Sequence, residues 1–218
     1  MAYLPPGTYH TGSLVLPNKT TLRMGINTTL LASTNPADYP LVNALPGYGV
    51  PRDCCCNDWE KYNCSSLGIG NPPRYTQRHR ALLTSAPGSV DIAVEGEGPS
   101  LSIIDGQGWP WWYKFESGGL YAGRPHLVEP LFTTGFRIES VWLKDSPFWT
   151  LHPYASDHIT IRGLKITADR VRGHNTDGVD PDSCSDVLVE DTYVSVGDDA
   201  VAIKSGIDFA GQCLCLCL

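Results

Sequence analysis

An all-β chain wound as a parallel β-helix is what this sequence predicts, on two repeats and one absence. The first repeat is "SVDIAVEG" (89–96), "FRIESVWLKDS" (136–146), "ITIRGLKITAD" (159–169) and "DVLVEDTYVSV" (186–196). Each alternates apolar residues, breaks at a small or polar residue, then resumes with a second apolar pair. Phe136 to Ile159 is 23 residues and Ile159 to Val187 is 28, the excess falling in the loop "DRVRGHN". The second repeat, "FWTLHPYAS" (148–156), "TDGVDPDSCS" (176–185) and "DDAVAIKS" (198–205), aligns without gaps over eight positions at offsets of 28 and 22. Short strands recurring at such a period mark a solenoid of stacked coils. A β-sandwich also brings a strand every ~8–12 residues, and the gapless register argues against it. No sustained 3.6-residue apolar pattern is found, so no helix is expected.

Composition agrees with that fold and narrows the partners. A chain of 218 residues is long enough to bury one sizeable core. Its 22 glycines, 17 prolines and 18% charged residues suit short strands joined by turns. The net charge of −7 argues against nucleic acid, which needs a basic face. It argues mildly against a polyanionic substrate too, unless local basic residues offset it. No run of 18 apolar residues exists, so no membrane span is expected. The start, "MAYLPPGTYHTG", lacks a basic stretch leading into an apolar one, so no signal peptide is read there. Sequons at Asn18, Asn27 and Asn63 point weakly to secretion. The eight cysteines would permit disulfides, but "CCC" at 54–56 and the terminal "CLCLCL" have neither a disulfide framework's spacing nor a zinc site's. No metal and no cofactor is expected.

Acidic residues crowd one stretch. From Asn175 to Gly206 there are seven aspartates and one glutamate, and no basic residue before Lys204. Equivalent positions on successive coils lie about 4.8 Å apart. The 22-residue offset therefore sets Asp177 over Asp199 and Thr176 over Asp198, gathering three carboxylates. Neighbours on a strand face opposite ways, so Asp198 and Asp199 share a site only if the chain bends there, which Gly197 would permit. Two plainer readings compete. Aspartates are favoured in turns, the reading adopted for Asp180, Asp182, Asp186 and Asp191. Stacked acids also suit calcium, although no D-x-[DN]-x-[DN]-G loop is present. The chemical reading is acid/base catalysis: carboxylates this close cannot all ionise freely, so one is held as a proton donor while its neighbours activate water.

"NTDGVDPDS" followed by "VGDDAVAIKSG", with 21 residues from Asp177 to Asp198, resembles glycoside hydrolase family 28, the polygalacturonases, in its plant-type branch. "PPGTYHTGSLVL", "IDGQGWPWW", "RPHLVEP" and "DSPFWTLHP" are of the same type and in the same order. The resemblance implies a right-handed parallel β-helix that hydrolyses α-1,4-galacturonosyl bonds of pectin with inversion, as a secreted, cell-wall-directed monomer. It makes Asp198 the general acid, with Asp177 and Asp199 holding the attacking water. Lys204, in phase with Asp182, is open to two readings, a contact to the substrate carboxylate or an ion pair with Asp182. His152, one coil before Asp180, is a candidate cleft residue, and Asn175 joins it as a candidate substrate contact. Arg170, Arg172 and His174 read as a solvated loop. Trp109, Trp111, Trp112, Trp142 and Trp149 read mainly as core or cleft wall.

The same resemblance marks two departures. The family continues past the paired aspartates with further coils carrying a Gly-His-Gly histidine and an Arg-x-Lys pair, which "IDFAGQCLCLCL" does not match. The stretch 53–78 also fits poorly. The expected organisation is a partial β-helix over 1–206 with an ill-fitting insert at 53–78 and an aberrant tail at 207–218. An incomplete helix that binds acidic polysaccharide without turning it over, or is inactive, is the alternative function.

Overall fold

A computed structural model describes residues 1–46, 48 and 77–206. The tail at 207–218, seven of the eight cysteines and the insert up to residue 76 lie outside the described residues. The chain is a right-handed parallel β-helix with three sheet faces. The first sheet stacks β1 (Ala2–Leu4), β4 (Thr21–Met24), β9 (Val90–Glu95), β12 (Thr134–Glu139), β14 (Asp157–Arg162) and β16 (Ser185–Glu190), all parallel. The second stacks β2 (Gly7–Thr11), β5 (Thr28–Ala32), β10 (Ser102–Asp105), β13 (Trp142–Lys144), β15 (Lys165–Thr167) and β17 (Tyr193–Ser195). The third holds β3 (Leu14–Leu16), β8 (Leu83–Ser85) and β11 (Val128–Glu129), and single bridges carry it on through Leu151, Val179 and Val201. An antiparallel pair, β6 (Leu41–Asn43) with β7 (Gln77–His79), lies outside the coils and was not foreseen. β7 includes the last two residues of the insert expected at 53–78.

Register is what the sequence repeat expresses. Ile92, Phe136, Ile159 and Val187 are direct partners on successive coils, as are Leu22, Val94, Ile138 and Ile161. Leu30, Ile104, Leu143 and Ile166 form the matching ladder on the second sheet, and Leu83, Val128, Leu151 and Val179 on the third. Nearly all of these are fully buried in one continuous core. Each such side chain contributes about 1.5–3 kcal/mol relative to exposure.

The corners repeat as strictly as the strands. Asp91, Gly135, His158 and Asp186 occupy one column and all take positive φ, between 52° and 76°. Ser140, Gly163 and Asp191 form a second such column, and Phe132, Ala155 and Ser183 a third. Two of the aspartates read as turn residues, Asp186 and Asp191, belong to these corners and are exposed. The other two do not.

Among the described residues, beside a single 3-10 turn at Pro36–Asp38, one α-helix, α1 (Trp109–Glu116), departs from the expectation of none. It opens with Pro110 in its first turn and buries Trp111 and Trp112, whose Nε1–H donates to the Ser146 carbonyl at 3.0 Å. Eight residues rich in aromatics show no readable period. Tertiary burial of the tryptophans, rather than propensity, makes this a helix.

Candidate active site

The site lies on the third face, where the two offsets of the repeat place its residues. The bridges Leu151–Val179–Val201 and Tyr154–Asp182–Lys204 put Trp149, Asp177 and Asp199 in one column and Phe148, Thr176 and Asp198 in the next. Backbone bonds fix the stack: Thr150 N–H donates to the Asp177 carbonyl at 2.8 Å, and Gly178 N–H to that of Asp199 at 2.9 Å. The carboxylates of Asp177, Asp198 and Asp199 come within 4.8 Å of one another. Asp177 is buried, whereas Asp198 and Asp199 are exposed. The chain bends at Gly197 and Asp198, which lets neighbouring aspartates face one patch. Gly197 serves this by close approach rather than by an unusual φ: a Cβ there would lie 2.3 Å from the Gly173 carbonyl oxygen and 2.9 Å from that of Asp169. Its N–H is fixed by Thr176 Oγ1 at 2.9 Å.

Lys204 does not make the ion pair with Asp182 that is one of its two readings. Its Nζ lies 3.1 Å from Asp177 Oδ2 and 3.2 Å from Asp180 Oδ1, above the Trp149 ring at 4.1 Å from the centroid. Burial works against its charge, but Asp180 and Asp177 outweigh that and hold its pKa above the ordinary lysine value. Although Lys204 is in register with Asp182, the ion pair with Asp182 does not form, because the Asp182 carboxylate turns inward.

Asp180 and Asp182 are therefore not turn residues; both are 0% exposed. Asp180 is pushed up to about 7, first by burial and then by the neighbouring Asp177 charge, against the pull of Lys204. Asp182 accepts from His152 Nε2 at 3.2 Å and from the Tyr48 hydroxyl. Burial opposes its ionisation, yet His152 and Tyr48 bring its pKa below the usual range.

His152 is likewise corrected as a cleft residue. It is fully buried, and it spans three coils by bonding Glu129 Oε1 at 3.1 Å through Nδ1 and Asp182 through Nε2. Two carboxylate acceptors require both ring nitrogens to carry protons. Burial lowers the His152 pKa, and the two carboxylates more than restore it, for a net rise. Glu129 also accepts from Arg78 Nη1 at 2.7 Å and from His126 Nδ1 at 2.5 Å. These partners overcome its burial and hold it well below the ordinary glutamate value. His126 is lowered to about 4 by burial, Glu129 opposing. The cluster balances two anions, Glu129 and Asp182, with two cations, Arg78 and His152.

Asn175 is half-buried beside Asp198. Its Oδ1 accepts from Arg124 Nη2 at 2.7 Å, and its Nδ2 faces Asp198 Oδ2 at 3.4 Å. Of the loop residues, Arg172 lies over the Trp109 ring at 4.9 Å and His174 pairs with Glu116 at 2.9 Å.

Among the described residues, two groups of side chains are close enough to share a cation, His126–Glu129–His152 and Asp177–Asp198–Asp199. In the first, protons already bridge the ligand atoms and Arg78 completes the charge. In the second, Lys204 already supplies Asp177 with a cation.

Sequence reading missed Arg78, Arg124, His126 and Glu129. A signal for Glu129 was present: "HLVEPL" at 126–131 is in register with "WTLHPY" at 149–154, offset by 23. The repeat thus extends one coil before Phe148.

The profile of the family described as Glycosyl hydrolases family 28 matches residues 89–214. The chain belongs to glycoside hydrolase family 28. It is 36% identical over 209 residues to a protein of Vitis vinifera named "Probable polygalacturonase", covering 96% of this chain and 38% of that protein. It is 28% identical to the "Polygalacturonase" of Ralstonia solanacearum, covering 89% of this chain and 40% of the relative. The chain thus spans about two fifths of the length of these relatives. Among solved structures it resembles the hyperthermoactive exopolygalacturonase of Thermotoga maritima, with a TM-score of 0.71 at 22% identity, covering 97% of this chain and 48% of the other. The polygalacturonase of Erwinia carotovora gives 0.66 at 23% identity, over 90% and 47%. Both share the fold. The family match runs to residue 214, into the stretch read as an aberrant tail.

Proposed function

We propose that this family 28 chain carries the catalytic aspartates of a pectin-cleaving polygalacturonase, acting on α-1,4-galacturonosyl bonds outside the cell. The observation that carries the reading is the convergence of Asp177, Asp198 and Asp199 to within 4.8 Å on an open face. Asp198, exposed at the bend, donates its proton to the leaving glycosidic oxygen. Asp177 and Asp199, one above the other, take the proton of the attacking water. Lys204 pairs with buried Asp177 at 3.1 Å and is a cation within reach of a galacturonate carboxylate at this site.

The stereochemistry is set by where that water sits. Carboxyl separations of ~6.5–9.5 Å go with inversion and ~5–5.5 Å with retention, so the spacing by itself favours the second. Three carboxylates allow another division: Asp177 and Asp199 hold the water and Asp198 protonates, with no covalent intermediate. A binding role without turnover is the second reading, favoured by one observation. Lys204 is already engaged by Asp177 and Asp180, so gripping a substrate carboxylate competes with those pairs.

Reducing ends released from polygalacturonate decide between the two readings. Wild-type chain is expected to release them, and Asp198→Asn to lower the rate by about 100-fold or more. Proton NMR of the first product should show the β-anomer. Equal release by the two proteins ends the acid assignment, and an α-anomer ends inversion.

A further inference from the structure

The structure assigns Arg124 as a positioning residue that acts on Asp198 through the side-chain amide of Asn175; this rests on the proposed catalytic reading of Asp198. Arg124 is almost fully buried, in the "RPHLVEP" stretch and far in sequence from the acids. Its guanidinium carbon lies over the rings of Phe115 and Phe148, at 4.4 and 4.7 Å from their centroids. Its Nη1 donates to the carbonyls of Pro147 at 2.9 Å and His174 at 2.7 Å, while Nη2 donates to Asn175 Oδ1 at 2.7 Å. A group so held does not readily rotate away, since three of its donors have fixed acceptors and two aromatic rings pack against it.

The consequence is an amide with only one orientation. A guanidinium has no acceptor atoms, so it forces the Asn175 oxygen toward itself and the NH2 toward Asp198. The Nδ2–H then points at Asp198 Oδ2, 3.4 Å away, while the backbone N–H of Asp199 donates to Oδ1 at 3.0 Å. Each oxygen of Asp198 has one donor. When Asp198 gives its proton to the leaving oxygen, it becomes a carboxylate, and these two donors stabilise the charge as it forms. A hydrogen bond that is long before reaction and tightens as charge develops favours the transition state over the ground state. Asn175 itself is held in the left-handed region, at φ 54°, which asparagine adopts more readily than most residues. Arg124 fixes the preceding carbonyl as well, so the amide's backbone and its side chain are set by one guanidinium.

Two substitutions separate positioning from plain support. Asn175→Asp keeps the left-handed residue and gives Arg124 a stronger acceptor, but has no donor for Asp198. Arg124→Lys keeps the charge and loses the planar fork. On polygalacturonate each is expected to lower kcat by about 10- to 100-fold with KM little changed. The double variant should fall no further than the weaker single, because both act through one hydrogen bond. Losses that multiply in the double variant, or a change in KM alone, overturn the assignment. A second readout needs no turnover: the side-chain amide signals of Asn175 in a 15N–1H spectrum, identified by their loss in Asn175→Asp. In wild type they should exchange slowly with solvent, and in Arg124→Lys at least 10-fold faster. Unchanged exchange overturns the assignment even if the wild-type chain releases no reducing ends, an outcome that by itself would count only against the catalytic reading.

Discussion

Asp180 shows how one residue's role depends on a neighbour 24 positions away. It shares Lys204 with Asp177, yet neither of its buried oxygens makes an aligned hydrogen bond. Burial and Asp177 together raise its carboxyl to about 7. An acid whose folded pKa is raised binds its proton more tightly in the fold than in the unfolded chain. Its stabilising effect is therefore present at low pH and is lost as pH rises from about 4 to about 7. Every tenfold gain in proton affinity on folding is worth about 1.4 kcal/mol, so ionised Asp180 costs the fold a few kcal/mol. Asp180→Asn is expected to be close to wild type in urea stability at pH 4 and more stable by about 1–3 kcal/mol at pH 8, allowing for the lost Lys204 pair. A difference that does not grow between those pH values would remove Asp180 as the group responsible. This role was illegible in the sequence for a physical reason. "DGVDPD" is sound turn chemistry, and whether such an aspartate meets water or Lys204 is decided by the next coil. Asp186 and Asp191, with the same local credentials, do lie at exposed corners.

Coils, rather than single strands, are the elements of this molecule, and their register was the most legible feature of all. The ladder Phe136–Ile159–Val187 follows from apolar spacing alone, since a slip of one residue would turn every side chain to the wrong face. Pro130, Pro153 and Pro181 mark the same column on the third face. Their carbonyls accept from Tyr154, Asp182 and Lys204 of the following coil at 2.9–3.0 Å, bonds that need no proline N–H. What register does not show is the direction of side chains at a bend or the packing of a loop behind it. Gly197 illustrates both, because its lack of a side chain admits the 169–173 backbone. Gly197→Ala places a Cβ 2.3 Å from a backbone oxygen that has no free rotation to escape. Urea denaturation is expected to show a loss of about 1–3 kcal/mol. Polygalacturonate turnover should fall more than the unfolded fraction accounts for, since the bend at Asp198 must shift. An alanine variant with wild-type stability would mean the 169–173 loop can simply move aside.

At the scale of the whole molecule, a cluster of charge lies buried directly beneath the acidic face. Glu129 and Asp182, held low, and His152, held high, bind the coils at 128–131, 151–154 and 179–182 into one unit. The two lowered carboxylates stabilise the fold above their ordinary pKa values near 4, and that contribution is lost as pH falls through the lower, folded values. The raised imidazole stabilises it below its ordinary value near 6.5, and that contribution is lost as pH rises through the higher, folded value. Between about 4.5 and 6.5 the cluster's contribution is complete. Other groups slope across that window and oppose one another. His126, lowered to about 4, and His79, lowered by burial, make stability rise with pH. Asp180, raised to about 7, and Asp145, raised by burial, make it fall. The wild-type chain should therefore hold a nearly level stability from pH 4.5 to 6.5 and weaken on either side. Removing one member tests the balance from both directions. Asp180→Asn takes away a falling contribution, so its stability should climb across the same window. Glu129→Gln leaves Arg78 and His152 buried with too little negative charge, and a loss of about 3–5 kcal/mol is expected at pH 5.5. Urea midpoints at half-unit pH steps measure all three proteins together. A wild-type curve as steep as that of Asp180→Asn would show that Asp180 is not offsetting the histidines. A Glu129→Gln protein as stable as wild type would show that the buried charges are not what ties these coils together.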